Sequence, residues 1–481
     1  MDASKDLMEY SDEQAAHEHR IPPSTPSSTN DLPRLNFDVL LEVMQRVPKR
    51  ATLLRMMYTC RTLYEGGVRL LFAFDVEIGD RELHSFCLNI MADVSRCRHI
   101  RDLVLQPSPP PTYGWTDLER EALLALAHNA LDLECLGVTE SIFQQGPRYA
   151  EALGSLKKLK YLTIRGYDLP AAPFLSHLTS PLRYLDIKFS NEANFIEVIQ
   201  PHHWSLSTLC VSYCKLPDNL EPVTVFSNIT RLYLSNFFDA DGPFLMKSFP
   251  NLRGLHYKVE PGTPAGIRHM PSLHSDEADL EELVDVREAS IAEQLRSKCG
   301  WSSLDEVTGP ILWVYAMGII CHIRNLKLKN EWYNDMHLAY YPDVIESTQP
   351  LDLYISTRTE DCLQYVYRVL EAIGTTVERL TVRTGLMDVT TLKQTLRDGR
   401  SPRGWKTSLT ELLLIFEMDC PGNNPPRCYN QLAWEYANNF WDLESFEIDI
   451  RWSDKERSSI LWEVEREDDN IELHETSKRM S

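Results

Sequence analysis

Basic side chains and aromatic rings recur at equivalent positions of a repeated apolar motif, and they are the residues of this sequence best suited to binding chemistry. The motif has the form apolar-x-x-apolar-x-apolar. In an extended strand its fourth and sixth residues point to one face, and its third, fifth and seventh point to the other. On the second of these faces, from the third motif to the tenth, the basic residues are Arg165, Lys188, Arg231, Lys258, Lys327, Lys329, Arg379 and Arg383, and the interleaved rings are Tyr161, Tyr184, Tyr233, His256 and Tyr354. Such cations form charge-assisted hydrogen bonds with carboxylates and phosphates, and tyrosines add flat contact area.

The charge of this face is opposite to that of the whole chain. Only Asp186 and Asp352 oppose the eight basic residues, whereas the 481-residue chain has a formal net charge of −21. We therefore expect the face to bind an acidic or phosphorylated segment of a protein substrate; ordinary solvent-exposed charge is the alternative. In the last two motifs the sign reverses, with Glu411, Glu447 and Asp449. The negative total disfavours nucleic acid and anionic membranes as partners.

Sequence signatures of catalysis are missing. The chain has no nucleophile elbow, Walker loop, dinucleotide-binding glycine turn or zinc-protease helix. The adjacent His202 and His203, and the pair His17 and His19, are expected to be solvated loop residues rather than metal ligands. We expect a protein that is not an enzyme and that uses neither cofactor nor metal.

The spacing of the apolar motif indicates a repeat. Chance matches to so short a pattern are frequent, but seven of the eleven intervals between successive motifs are 23 to 27 residues. That length and pattern resemble a leucine-rich repeat, in which each unit contributes a strand followed by a helical segment. The resemblance implies an α/β solenoid over residues 75–452, in which each unit buries its apolar face on its neighbours. The motifs are Ile100-Leu103-Leu105, Leu133-Leu136-Val138, Leu159-Leu162-Ile164, Leu182-Leu185-Ile187, Leu206-Leu209-Val211, Ile229-Leu232-Leu234, Leu252-Leu255-Tyr257, Ile323-Leu326-Leu328, Pro350-Leu353-Ile355, Val377-Leu380-Val382, Leu409-Leu412-Leu414 and Leu443-Phe446-Ile448.

A separate, strongly apolar segment precedes the repeats, within residues 32–74. Between residues 35 and 64, 17 of 30 residues are apolar. Val39, Val43 and Val47 recur at helical spacing, Asn36 and Asp38 can cap the helix that carries them, and Gly66-Gly67 is expected to end the segment. Three helices of this length cannot bury all their apolar faces among themselves. Another surface must therefore cover one face, either a partner protein or the first repeats of the same chain.

This segment resembles an F-box. Leu35 and Asn36 stand where the F-box family has Leu-Pro, Val39-Leu40 where it has a leucine pair, and Cys60-Arg61 with Leu63 where it has its last conserved helix; Asn36 and Leu63 depart from the family's proline and aromatic residue. The resemblance implies that the segment docks on the Skp-type adaptor of a cullin ubiquitin ligase while the repeats bind a protein substrate. The adaptor-binding residues that it implies are Leu35, Val39, Leu40, Val43, Val47, Leu53, Leu54, Cys60 and Leu63. A repeat scaffold without a ligase role is the alternative function.

The remaining segments are charged or of low complexity. Residues 1–31 are rich in proline, serine and threonine and predict a disordered tail. Residues 259–310 form an acidic insertion between two motifs, for which we expect an amphipathic helix, and residues 453–481 predict a charged, frayed C-terminal tail. The scattered cysteines, the lack of an apolar leader and the lack of an apolar run of about 20 residues predict a cytoplasmic or nuclear protein.

Overall fold

The computed structural model describes residues 36–106, 115–167, 172–215, 224–236, 241–259, 277–329, 339–356, 376–387, 408–418, 433–434, 436–438, 440, 442–452, 457–467 and 470–480. The predicted tail over residues 1–31 lies outside them, as does Leu35. The chain divides into an N-terminal unit that ends at Leu71 and a second unit that begins at Phe72.

From residue 36 onward the N-terminal unit contains three helices, α1 (Phe37–Gln45), α2 (Arg50–Met57) and α3 (Arg61–Ala73), the last of which crosses the division between the units. Asn36 caps α1, as predicted, by accepting a hydrogen bond from the backbone N–H of Asp38 at 3.0 Å. The prediction that Gly66-Gly67 ends the segment is wrong, because α3 runs through both glycines. A β-carbon at Gly66 would collide with Leu41, and one at Gly67 would collide with Met44 and Met57. The two glycines therefore let α1 and α2 approach α3 closely.

The second unit is a mixed α/β structure. Within the described residues, sixteen strands form one sheet whose order follows the chain from β1 to β16. They are β1 (Val76–Ile78), β2 (Asp102–Leu105), β3 (Cys135–Thr139), β4 (Tyr161–Tyr167), β5 (Tyr184–Asn194), β6 (Thr208–Lys215), β7 (Arg231–Ser235), β8 (Gly254–Lys258), β9 (Ser303–Pro310), β10 (His322–Lys329), β11 (Asp352–Ser356), β12 (Arg379–Met387), β13 (Glu411–Met418), β14 (Ser445–Trp452), β15 (Arg457–Glu467) and β16 (Asn470–Met480). Neighbouring strands from β1 to β14 are parallel.

Helical segments connect many of these parallel strands. The α-helices are α4 (Asp80–Ala92), α5 (Asp117–Asn129), α6 (Glu140–Phe143), α7 (Pro147–Gly154), α8 (Ala172–His177), α9 (Phe195–Ile199), α10 (Gly242–Ser248), α11 (Glu277–Ser297), α12 (Ile311–Ala316) and α13 (Tyr341–Thr348), and short 3-10 helices cover Val94–His99 and Gln200–His202. A parallel pair of strands needs such a crossover, because a tight hairpin can only join antiparallel strands.

Each of the twelve predicted motifs contributes to a strand, and its apolar residues face the core. In β4, for example, Leu162 and Ile164 are fully buried, and they are in register with Leu185 and Ile187 of β5. The residues that alternate with these leucine positions are partly or fully exposed in most strands. We call the surface that they form the open face of the sheet. The core lies on the other side of the sheet, where the helices pack.

The described part of the acidic insertion over residues 259–310, which begins at residue 277 apart from residue 259, contains two regular elements. Its helix, α11, has a buried stripe at helical spacing that is mostly polar, formed by Leu283, Arg287, Ser290 and Gln294. The insertion also contains β9, which pairs with β8 on one side and β10 on the other. The 71-residue interval between two predicted motifs therefore contains a further strand of the same sheet.

The C-terminal residues also differ from the prediction. Over residues 453–481 we expected a charged tail, but β15 and β16 form an antiparallel pair, and β15 adds to β14 in antiparallel orientation. Trp462 of β15 is buried, and its ring stacks on Phe446 of β14 with 5.5 Å between centroids. Alternation within β15 therefore matters more than its high content of charged residues, because every second side chain packs on the core.

Candidate functional site

The apolar residues predicted to bind an adaptor divide into three groups within the N-terminal unit. Val39 and Val43 are exposed; Leu40, Val47, Leu54 and Cys60 are half-buried; Leu53 and Leu63 are buried. The two buried leucines form the core of the unit with Met44 and Met57, so their predicted direct contact with a partner does not agree with the structure. Val39 and Val43 lie one helical turn apart on α1 and are 52% and 46% exposed.

Three further exposed apolar residues of this unit were not among the predicted ones. Phe37 of α1, Tyr58 at the end of α2 and Tyr64 of α3 are 47%, 81% and 45% exposed. Their ring types were visible in the sequence, but periodicity alone could not show which side of each helix is buried. We call Phe37, Val39, Val43, Tyr58 and Tyr64 the exposed apolar set.

On the open face, aromatic rings of neighbouring strands pair with each other. The rings of Tyr161 and Tyr184 are 6.2 Å apart, centroid to centroid. The rings of Tyr233 and His256 are nearly parallel and stack at 4.3 Å. Because the register places Tyr233 beside His256, each ring covers part of its neighbour. Burial lowers the pKa of His256 below its ordinary value, and nearby Glu306 partly opposes that shift.

Three of the predicted basic residues are paired with carboxylates of the chain itself. Lys327 donates a hydrogen bond of 2.6 Å to Glu306. Arg379 binds Asp352 through two nitrogens, of which Nη2 donates at 2.6 Å. Arg383 binds Glu417, with a distance of 3.0 Å from Nε to the carboxylate oxygen. The predicted excess of positive charge on β10–β13 is therefore too large, because in each pair the carboxylate neutralises the basic residue.

The carboxylates of two of these pairs were missed in the sequence for a clear reason. Glu306 lies on β9, a strand that the motif search did not find, and Glu417 lies beyond the last motif position of β13. Burial alone would raise the pKa of Glu306, but the hydrogen bond from Lys327 and the nearby charges of Lys327, His256 and Arg231 together outweigh burial and leave that pKa below its ordinary value. Glu306 is therefore held as a carboxylate between His256 and Lys327, whose nitrogens lie 3.8 Å and 2.6 Å from it.

Arg165, Arg231, Lys258 and Lys329 have no carboxylate partner within the described part of the chain, at a cutoff of 4.0 Å. Arg165, Arg231 and Lys258 are exposed and Lys329 is half-buried. The ammonium group of Lys188 lies 4.9 Å from the centroid of the Tyr213 ring, a cation–π contact. The positive part of the open face is thus concentrated on β4–β8, close to the paired aromatic rings.

The two adjacent histidines of the sequence differ in their surroundings. His202 is buried and its Nε2 lies 3.0 Å from the carbonyl oxygen of Leu175, so the expectation of a solvated histidine is wrong for this residue. His203 is exposed, as expected. No group of three or more potential metal-binding side chains occurs among the described residues. In the same part of the chain, no helix combines the length and the apolar character needed to cross a bilayer.

A scan of protein-family models finds no match to this sequence, and a search of curated proteins finds no significant relative.

Proposed function

We propose that this chain is a substrate-recognition subunit of a ubiquitin ligase of the Skp–cullin–F-box type and has no catalytic role of its own. In this proposal the N-terminal unit is an F-box that docks on the Skp-type adaptor. The strand and helix repeats of the second unit form a leucine-rich-repeat solenoid that binds the protein substrate. The observation that carries the proposal is the exposed apolar set, five large apolar side chains on three short helices.

The exposed apolar set supports a protein partner for physical reasons. Single exposed apolar residues are ordinary on a protein surface, but five large ones on one small unit of three short helices favour an interaction site. Val39 and Val43 are spaced as in a helix that packs its apolar side into a groove of another protein. The core of the unit is already filled by Met44, Leu53, Met57 and Leu63, so the exposed residues are available to a second molecule.

Adaptor binding is tested by placing charge on the exposed apolar set. We expect Val39→Glu combined with Val43→Glu to abolish co-purification with the Skp-type adaptor, because a carboxylate in an apolar contact is costly. The matched control is Val225→Glu, since Val225 is 51% exposed and lies in the second unit. Retained adaptor binding in the double variant, or equal loss in the control, would contradict the proposal and leave a repeat scaffold without a ligase role.

The substrate is proposed to bind the positive part of the open face as an acidic or phosphorylated segment. Arg165, Arg231 and Lys258 supply cations without carboxylate partners in the described residues, and the ring pairs Tyr161–Tyr184 and Tyr233–His256 supply aromatic contact area beside them. Lys327, Arg379 and Arg383 contribute less, because each already binds a carboxylate.

Charge reversal separates this face from the rest of the surface. Arg165→Glu, Arg231→Glu and Lys258→Glu together should abolish the capture of ubiquitination substrates from cells with an inhibited proteasome and leave adaptor binding unchanged. The control reverses Arg183, Arg253 and Arg324, which are exposed and occupy the position before the strand residues of the open face. Substrate capture that survives the first triple variant would reject the face as the substrate site.

A further inference from the structure

The open face contains a cavity of about 310 Å³ that lies away from its positive part. It extends across strands β10 to β15, and its lining includes Leu413, Glu447 and Leu461. A volume at the lower end of the range of small-molecule sites, about 300–1,000 Å³, suits one side chain of a partner better than a large ligand.

At its β13–β15 end the cavity combines a carboxylate with apolar side chains. Glu447 of β14 is in register with Leu413 of β13 on one side and Leu461 of β15 on the other. Adjacent strands lie about 4.8 Å apart, so the two leucines flank the glutamate directly. Leucine is unusual on the open face, where most strands carry polar residues at this position.

The basic residues that line the cavity are already bound by other carboxylates. Lys327 binds Glu306, and Arg379 binds Asp352. Glu447, in contrast, has no basic partner within 4.0 Å among the described residues. Besides the paired Asp352, the cavity therefore presents two carboxylates, those of Glu411 and Glu447, without a cation within 4.0 Å among the described residues, and Glu447 is the one that leucine side chains flank.

We propose that this cavity binds an arginine side chain of a partner polypeptide. The guanidinium group donates hydrogen bonds to the carboxylate of Glu447, and the methylene stem of the arginine lies on Leu413 and Leu461. Arginine suits the site better than lysine, because the guanidinium is planar, forked and weakly hydrated, whereas the ammonium is strongly hydrated and loses more on contact with leucine. Charge complementarity thus selects a basic segment here, whereas β4–β8 select an acidic one.

The proposal does not depend on a ligase role, since every residue that it uses lies in the second unit. The probe is a fluorescent nine-residue peptide with one arginine between two leucines in a serine–glycine background, titrated against the full chain by polarisation. We expect saturable binding. Replacement of the arginine by citrulline, which has the same shape without the charge, should weaken it roughly tenfold or more, as expected for loss of a charged hydrogen bond.

The protein variant is Glu447→Gln, with Glu77→Gln as its matched control, since Glu77 is an exposed glutamate of β1 at the opposite end of the sheet. Glu447→Gln should weaken binding of the arginine peptide roughly tenfold and remove the preference for arginine over citrulline. Glu77→Gln should change neither the affinity nor the preference. If Glu447→Gln does not fold, the two peptides on the unaltered chain decide the question.

Three results would overturn the proposal. The first is the absence of saturable binding by the arginine peptide, and the second is equal affinity for arginine and citrulline peptides. The third is a dimer of the chain that excludes the peptide and dissociates on the Glu447→Gln substitution, which would assign the cavity to a second copy. A lysine peptide that binds as tightly as the arginine peptide would reject the choice of arginine.

Discussion

At the scale of single residues, His202 shows how a buried histidine can stabilise the fold. Its Nε2 lies 3.0 Å from the Leu175 carbonyl oxygen, so the 3-10 helix that carries it is joined to α8. Burial lowers the pKa of His202, and the hydrogen bond to Leu175 only partly offsets that shift. The neutral ring is therefore the form that the native state holds.

The sign of the resulting pH dependence follows from the lowered pKa. As the pH falls below about 6.5, the ordinary histidine value, the unfolded chain takes up a proton before the native one does. We expect the urea concentration at the midpoint of unfolding to be lower at pH 5.5 than at pH 7.5. His202→Gln should lower the free energy of unfolding at pH 7.5 by about 1–3 kcal/mol. It should also make the difference in stability between pH 7.5 and pH 5.5 smaller.

The neighbouring residue provides the control for this prediction. His203 is exposed, and its Nδ1 makes a local contact with the carbonyl oxygen of Gln200 at 2.9 Å. His203→Gln should therefore change the urea midpoint by an amount equivalent to less than about 0.5 kcal/mol. Equal effects of the two substitutions would show that burial of His202 does not determine the pH dependence.

Glu306 limits how strongly the open face attracts anions. It accepts a hydrogen bond from Lys327 and lies 3.8 Å from His256. Glu306→Gln removes this carboxylate and leaves Lys327 to other partners, so we expect an acidic peptide that binds the open face to bind roughly threefold to tenfold more tightly. Fluorescence polarisation at fixed salt measures this change. The control is Asp305→Asn, which removes the exposed carboxylate of the preceding residue. An equal gain in affinity for this variant would mean that only the net charge matters.

At the scale of elements, the acidic helix α11 stabilises the end of another helix. Arg287 donates hydrogen bonds to the carbonyl oxygen of Tyr315 at 3.0 Å and to that of Asp343 at 3.2 Å. Ser290 donates to the carbonyl oxygen of Met317 at 2.7 Å. The carbonyl groups at the C-terminal end of a helix lack partners within the helix, and α12 ends at Ala316. The buried polar stripe of α11 therefore supplies partners to α12.

This arrangement predicts a large effect for one arginine of α11 and a small one for another. Arg287→Met keeps much of the volume of the side chain but leaves buried carbonyl oxygens without partners, which should cost about 3 kcal/mol. Arg296→Met is the control, since the Arg296 side chain is 78% exposed and binds only Glu293; it should cost less than about 0.5 kcal/mol. Thermal or urea unfolding compares them, and similar losses would contradict a capping role for α11.

The same elements show what the sequence could predict and what it could not. The strands that carry the twelve motifs could be predicted from the sequence, because burial of one face of a sheet makes apolar and polar residues alternate along each strand. The strand β1 also fits the pattern through Ala73, Val76 and Ile78 and could have been found. The strand β9 could not, because Gly309 occupies its last apolar position. The ion pair of Arg379 and Asp352 follows from the register, which places the two residues side by side, but that of Lys327 required the missed Glu306.

The predicted binding residues follow the same physical distinction. Periodicity identified the apolar residues of the N-terminal unit but not their division between core and surface. That division depends on contacts between helices, such as the close approach of Leu41 to Gly66. On the open face, side-chain direction was predictable because it has a period of two, whereas neutralisation by a neighbouring strand depends on the pairing of strands distant in sequence.

At the scale of the whole molecule, the open face changes its charge along the sheet. Arg165, Arg231 and Lys258, which have no carboxylate partner among the described residues, lie on β4–β8, whereas Lys329 and the self-neutralised pairs lie on β9–β13 and Glu447 lies on β14. A formal charge of −21 would by itself repel an acidic ligand at long range. A ligand of mixed charge would instead be attracted in one orientation, with its acidic part towards β4–β8 and its basic part towards β14.

The parallel sheet ends in an antiparallel pair, and this end has a protective role. Without β15, the edge of β14 would expose backbone hydrogen-bonding groups and the ring of Phe446, which Trp462 now covers. Such an edge pairs readily with other chains. The outer strand, β16, instead presents exposed polar residues that include Glu472, His474 and Glu475.

Removal of residues 453–481 should therefore convert the chain into one that self-associates. We expect light scattering after size-exclusion chromatography to show oligomers that grow with concentration, because the uncovered edge of β14 offers its backbone groups to a second copy. The control removes residues 1–31, a similar number of residues from the other terminus, and should leave the molecular mass at that of one shortened chain.

Replacement of Trp462 by alanine in the full chain separates packing from edge protection. It should lower stability by about 3–5 kcal/mol and leave the outer strand in place. A truncated chain that stays monomeric and as stable as the full chain would show that β15 and β16 do not protect the sheet.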